Sequence, residues 1–358
     1  FRSRMAVYVA SKDLTQPAQF VVVDSTLRVR DKINCDVACG LEKINLVGFR
    51  QYRQGTMYAL ISGHIPRDRK NEVYDLVQID SSGKKVHHIP LALRGADILD
   101  ALFTLEASGR VVITGSYHDY RGAGRQHTTQ GVFTMTVARG DRNITQQSSY
   151  EFASDLVKEL GSKQAALKNK GLPSVIWICK MLPLPGNRIA VIGQSRTRAA
   201  QRVGTSTAMN QYFDANGTLL FYEITPSGEI SWAGGVKRHL LNVELASRTA
   251  PVFFDGSSGI VQVLYDAQKQ SNQYKPAIYL DTYGQSGPAT TEIMAMEGKK
   301  QARRRILWPT ARRTEAGHVV AAYYDGSKKQ MGTVEISFPR HTDLFTKNSV
   351  PAPEERSE

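Results

Sequence analysis

The chain is poor in the residues and runs that would tie it to several common protein classes. It has three cysteines in 358 residues, too few for a disulfide-stapled scaffold. Cys35 and Cys39 are four apart and would be able to pair in an oxidising compartment. Cys179, inside the apolar run VIWICKML, reads as a buried thiol. A four-ligand zinc site would need histidines brought from elsewhere. No apolar run approaches the roughly 20 residues of a membrane-spanning helix. The first residues, FRSRMAVYVASK, have too short an apolar run for a signal peptide. The chain also starts without Met, so either a leader has been removed or the sequence begins inside a longer one.

Catalytic motifs are equally sparse. There is no GxSxG elbow, HExxH pair, GxxxxGK[ST] loop or EF-hand pattern, and no cofactor is expected. The GxG at Gly122 and Gly124 lies in a polar loop without a following helix. His87 and His88 are adjacent on a predicted strand and so point to opposite faces. His118, Asp119 and His127 flank one loop and read as a hydrogen-bonded cluster rather than a metal site. Asp119, Asp266 and Asp325 close strands in three places and read as acceptors of turn amides, although paired carboxylates near an axis would suit a glycosidase. Trp177 and Trp232 sit within apolar strands and read as packing residues. Consecutive Tyr323 and Tyr324 are expected to face opposite sides. Two short sequons, at Asn143 and Asn216, and Asp24-Ser25-Thr26 fit glycosylation patterns of chance length.

What the chain does have is positive charge and repetition. Lys and Arg number 46 against 33 Asp and Glu, a net charge of +13. That balance favours nucleic acid, anionic lipid or an acidic protein as partner. The basic residues are scattered, apart from KKQARRR at 299–305, and no nucleic-acid-binding signature is present.

Repetition carries the fold. Around residues 98–105, 110–119, 131–138 and 142–147 the order is approach strand, Gly turn, Val/Ile-rich strand, polar loop, apolar strand, turn, last strand. The same order recurs over 44–91, 175–232 and 248–296. It recurs incompletely over 306–338, where a fourth strand is missing. At the N-terminus, 6–11, 19–24 and 27–33 read as strands two to four and supply the complement. Glycines 55, 109, 186, 259 and 317 mark the second strands at intervals of 54, 77, 73 and 58 residues. Four-stranded units repeated at this scale predict an all-β fold, a β-propeller of about six blades over residues 1–340 with a polar tail at 341–358. Two insertions interrupt it. Residues 150–172 carry Phe152, Leu156, Leu160 and Leu167 at helical spacing. Residues 196–216 form a long basic loop, the kind of segment that tends to carry function.

Between residues 111 and 232 the chain resembles a group of cell-envelope proteins of Bacteroidota. The matching segments are Gly-Ser-Tyr at 115–117, Gln-Gly-Val-Phe at 130–133 and TPSGEISW at 225–232, with Ser227 where Asp is commoner. The resemblance implies export to the periplasm or cell surface and a non-enzymatic role in a multi-subunit envelope or outer-membrane assembly. The leading expectation is therefore a protein-binding scaffold. Its contact residues would be Tyr120, Arg125, Arg196, Arg198, Arg202, Tyr212, Arg303, Arg304, Arg305 and Trp308. The alternative is a carbohydrate-binding or carbohydrate-active propeller, with a glycan as partner. A nucleic-acid platform is the weakest expectation, since its affinity would have to fall steeply with salt.

Overall fold

The computed structural model describes residues 4–9, 18–24, 26, 28–35, 41–52, 55–65, 68–80, 86–119, 128–161, 171–172, 174–203, 209–236, 252–255, 260–267, 277–284, 287–295, 304–314, 318–325 and 328–336, some strands by their backbone alone. It divides into two compact units, Phe1–Arg238 and His239–Glu358.

The first unit holds one three-stranded and three four-stranded sheets, all antiparallel meanders. They are β1 (Arg4–Val9), β2 (Ala18–Asp24) and β3 (Val29–Cys35); β4 (Glu42–Gln51), β5 (Met57–Ile65), β6 (Asp68–Ile79) and β7 (Val86–Leu91); β8 (Ala96–Leu105), β9 (Val111–Asp119), β10 (Gly131–Val137) and β11 (Gln146–Glu151); and β12 (Val175–Leu184), β13 (Arg188–Val203), β14 (Met209–Ile224) and β15 (Ile230–Val236). The second unit holds β16 (Val252–Asp255), β17 (Ile260–Ala267), β18 (Ala277–Gly284) and β19 (Gly287–Ala295), then a three-stranded sheet of β20 (Arg304–Arg313), β21 (Val319–Asp325) and β22 (Gln330–Ile336). The repeated four-strand order read from the sequence is thus a series of separate four-stranded sheets. The N-terminal strands form a sheet of their own, β1-β2-β3, among the described residues.

Burial explains why the second and third strands of each repeat are the most apolar. All seven residues of β10 are buried, whereas the outer strand β11 alternates half-buried and exposed along QQSSYE. A middle strand has a neighbouring layer on each face, and its side chains alternate between them. Ile113, Phe133 and Met135 join Leu60, Leu76 and Phe103 in the core against the β4–β7 sheet. Val112 and Val132 turn the other way, joining Ile176, Val191 and Tyr222 against the β12–β15 sheet.

A polar seam joins those last two layers. Asp100 Oδ2 accepts from the Ile178 amide at 2.5 Å. The Ser116 hydroxyl donates to the Ile176 carbonyl at 2.6 Å. The Ile176 amide donates to Thr129 Oγ1 at 3.0 Å, and that hydroxyl donates to the Ser174 carbonyl at 2.8 Å. The Tyr222 hydroxyl donates to Thr114 Oγ1 at 2.7 Å, which itself donates to the Phe133 carbonyl at 2.6 Å. Further out, Thr134 donates to the Gly228 carbonyl, and Arg110, held by Glu106, donates to the Pro226 carbonyl at 2.6 Å. Several of these acceptors and donors belong to the open edge of β12, so side chains of one sheet satisfy the unpaired backbone of the next. Within the β8–β11 sheet Gly115 leaves room for its neighbours: a Cβ there would lie 2.0 Å from the Asp100 carbonyl oxygen and 2.6 Å from the Phe133 ring.

Three expectations are corrected. The helical insertion begins later than expected, with α1 (Ser154–Leu160), whose Leu156, Val157 and Leu160 are buried; residues 162–170 lie outside the described residues. Residues 150 and 151 belong to β11, and Leu172 bridges back to Thr129. Leu167 lies outside the described residues. The strand expected at 142–147 starts at Gln146 instead, because the turn after β10 extends until Thr145 N donates to the Thr136 carbonyl. The long loop at 196–216 is a β-ribbon: β13 and β14 stay paired from Arg196↔Asn216 to Val203↔Met209. Its polar, Thr-rich composition masked the alternation that marks a strand. The tail at 341–358 lies outside the described residues.

Truncating Asp100 to Ala strands the Ile178 amide in the interior. It should lower stability by about 2–3 kcal/mol, with Asn, which keeps an acceptor, losing less. Urea midpoints measure both, and a D100A midpoint equal to wild type would refute the seam's importance. Tyr222 and Tyr74 have their pKa values driven upward, first by burial; the Asp100 charge adds to this in both, while the Thr114 hydrogen bond works against it for Tyr222. The folded state therefore holds phenol protons that the unfolded chain releases above pH ~10. Their contribution is complete below that pH and fades above it. Absorbance titration should show these two phenols ionising only together with unfolding.

Candidate functional site

The seam dictates what β12 presents on its other side. Ile176 and Ile178 point into the core against β8–β11, so Trp177 between them must face away. It is 42% exposed, one of the few large apolar side chains left open among the described residues. Trp177 is paired in register with Gln194 of β13, and Ile178 with Gly193. A Cβ on Gly193 would sit 2.6 Å from Ile176 Cγ2. The pairing then skips Cys179 and resumes at Lys180↔Ile192. This bulge turns the exposed Lys180 onto the same face as Trp177 and Gln194. On that face Ile192, Leu219 and Phe221 are buried, and the Arg188–Glu223 ion pair lies further along it.

Gln194 is 2% exposed. Its Oε1 lies 4.0 Å from the Cys179 thiol, which also lies 3.6 Å from the Trp177 carbonyl. Its Nε2 is buried and has no hydrogen-bond partner. The exposed Trp177 thus stands beside a buried amide whose nitrogen has no hydrogen-bond partner.

Three histidine pairs lie elsewhere among the described residues, one of them His318 Nδ1 with Glu335 Oε1 at 2.6 Å. His118 Nδ1 donates to the Thr128 carbonyl at 2.9 Å, as the loop-cluster expectation has it for this residue. That bond leaves Nε2 as the acceptor of the neutral ring. Asp97 pairs with His118 across β8 and β9. His88 donates to Asp75 Oδ2 at 2.7 Å, while Oδ1 of the buried Asp75 has no partner. A polar cleft of about 310 Å³ lies between Gln130, Glu151, Ser154 and Gly171. Among the described residues no group of three or more His, Cys, Asp or Glu is placed to hold a metal ion. No described helix is long and apolar enough to cross a membrane.

The residues expected to form a contact surface are distributed as follows. Arg196, Arg198 and Arg202 lie on β13 and Tyr212 on β14, where Arg198 pairs with Asp214, Arg202 with Asn210 and Tyr212 with Ala200. Arg304 and Arg305 lie on β20 opposite Asp325 and Tyr324, and Trp308 falls in the irregular stretch between Leu307 and Arg312. Tyr120, Arg125 and Arg303 lie outside the described residues, as do His127, Cys39 and the glycines at 122 and 124. Asp325 does accept a turn amide, from Lys328 at 3.3 Å. Tyr324 is exposed and Tyr323 half-buried, on opposite sides as expected. Two readings are overturned: Cys179 is half-exposed rather than buried, and Trp177 is open rather than packed. The alternation Ile-Trp-Ile held the signal, since burying both isoleucines on one face leaves the tryptophan for the other.

No family model and no curated protein matches the chain. Solved structures do. The β-propeller domain of the Trilobed protease from Pyrococcus furiosus is 8% identical, covers 94% of this chain and 92% of its own, and has a TM-score of 0.30. A point mutant of Cellvibrio cellulosa α-L-arabinanase is 12% identical over 80% of this chain and 94% of its own, with a TM-score of 0.32. MPT-4, a mannose phosphorylase from Leishmania mexicana, is 11% identical over 74% and 75%, with a TM-score of 0.30. At these identities the likeness is one of fold. The expectation of a non-enzymatic scaffold is corrected here: the similar structures include an arabinanase and a mannose phosphorylase.

Selective quenching tests the placement of Trp177. Acrylamide should quench a solvent-exposed, red-shifted component of the emission that Trp177→Phe removes. An unchanged quenching profile in W177F would mean that the ring is covered.

Proposed function

We propose that the chain is a carbohydrate-active protein that holds a glycan against the β12–β13 face, its sheets arranged as the six blades of a propeller. The observation that carries the reading is the exposed Trp177 ring standing over the in-register, buried Gln194. Sugar rings have an apolar C–H face and a polar rim. A flat indole takes up the former and a fixed amide the latter, so a site of this kind needs one aromatic plate and a few placed polar groups. Around it Ile192, Leu219 and Phe221 are buried, and the same face carries Lys180 and the Arg188–Glu223 ion pair. An exported location, the one implied by the envelope-protein resemblance, would give such a face access to extracellular glycans.

A glycan array read with wild type and Trp177→Ala tests the proposal. Wild type should bind at least one glycan class, and W177A should lose that binding by about tenfold or more, the loss expected for removing a stacked aromatic. A reducing-sugar screen on the bound class then tests for turnover. A blank array together with a blank screen would remove the reading.

A further inference from the structure

We infer that the glycan held at Trp177 is anionic, its acid group met by the Lys180 ammonium; the inference rests on the glycan reading of Trp177. Both side chains are exposed, whereas Gln194, Ile192, Leu219 and Phe221 beside them are buried. The open part of this face is therefore its β12 side, and a ligand lies along that strand. The bulge at Cys179 sets the spacing. Trp177 pairs with Gln194 and Lys180 with Ile192, so the two stand two rungs of the ladder apart, roughly 7 Å along the strand. A sugar ring stacked on the indole spans that distance with a carboxylate or sulfate carried at its edge.

The charges around the pair favour an anion. Among the described residues Lys180 takes part in no ion pair. Glu223, on the same face, is engaged by Arg188, and Asp100, on the seam side, by the Ile178 amide. Beyond Trp177 the sheet narrows. β12 begins at Val175, opposite Arg196, while β13 and β14 run on together to Val203 and Met209. Trp177 thus stands near the base of a two-stranded ribbon. Residues 196–216, which span it, include three arginines and one aspartate and no other charged residue. An acidic oligosaccharide longer than the one stacked ring follows β12 from Lys180 toward this basic segment. The net charge of +13, which a neutral sugar leaves without a role, points the same way. Stacking gives affinity for sugar rings in general, and the ammonium distinguishes between them, since a hydrogen bond to an ionised oxygen is about twice as strong as one to a neutral group.

The test titrates wild type, Lys180→Gln and Lys180→Arg by calorimetry, at low and at high salt. The probes are oligogalacturonate, a sulfated galactan oligomer, and the neutral form of each, methyl-esterified or desulfated. At least one acid should bind wild type about tenfold more tightly than its neutral form, and the arm that responds tells carboxylate from sulfate. K180Q should lose most of that difference and K180R should keep it, with both melting close to wild type, since Lys180 is an exposed residue outside the core. Affinity for the acid should fall as salt rises while that for the neutral form stays level. Equal binding of each acid and its neutral form overturns the inference and leaves the stacking face standing. So does a preference undiminished in K180Q, or neutral glycans bound on the array while neither acid binds. A lower melting temperature in K180Q would show that the ammonium already has a partner in the protein, and overturns it too. Single-stranded DNA bound more tightly than either acid, with the same loss in K180Q, overturns it in favour of a nucleic acid. Absence of binding to every glycan would instead defeat the broader reading of Trp177.

Discussion

The edge of β12 is the constraint from which the rest of this unit follows. An edge strand exposes a row of unpaired backbone groups, and here they are met by side chains reaching across from the neighbouring sheet: Asp100, Ser116 and Thr129. Each of those groups is polar yet sits among apolar residues, and each finds its partner in the adjacent sheet. The result fixes the spacing and register of two layers that hydrophobic packing alone would leave free to slide. Apolar contact is non-directional, whereas a carboxylate aimed at one amide is not. Inside each sheet Gly115 and Gly193 are needed for a separate reason, since a methyl group there would collide with the side chains or backbone of the adjacent strand.

The surface chemistry is a by-product of this arrangement. Once Ile176 and Ile178 are committed to the inner layer, the strand has no choice about Trp177. The bulge at Cys179 then brings Lys180 to the same side. Trp177, Gln194 and Lys180 thus share one face of a strand pair whose opposite face is anchored by the seam. That is a favourable location for a site that must hold its geometry.

Much of the fold was legible in the sequence because turn and strand signals repeat. Turns with Gly109, Gly186 and Gly228 adopt positive φ, where glycine is favoured, and the apolar strands between them are long enough to read. The outer strands were less legible. β11, QQSSYE, buries only alternate positions and is held by its partner β10 more than by its own composition. The ribbon in β13 and β14 escaped because arginine, glutamine and asparagine give no period-2 hydrophobic pattern, although the chain pairs there without interruption. The helix was begun too early because Tyr150 and Glu151 belong to β11, which precedes it. The site was missed for a related reason: apolar neighbours suggest burial, but on a strand they bury only the face they share. Gln194 carried no signal at all, since an amide without a partner can be recognised only once its surroundings are known.

The middle strands have a further consequence for how such a sequence can drift. Adjacent residues such as Val112 and Ile113, or Val132 and Phe133, sit in different cores. A change of volume at one is answered by a different set of neighbours from a change at the next. Compensation therefore cannot run along the strand; it has to run across the stack, from layer to layer. Lineages carrying this architecture should exchange residues in coordinated pairs between sheets and leave few matches in linear order. A chain can then part company with its structural kin in sequence while keeping the same stack of sheets.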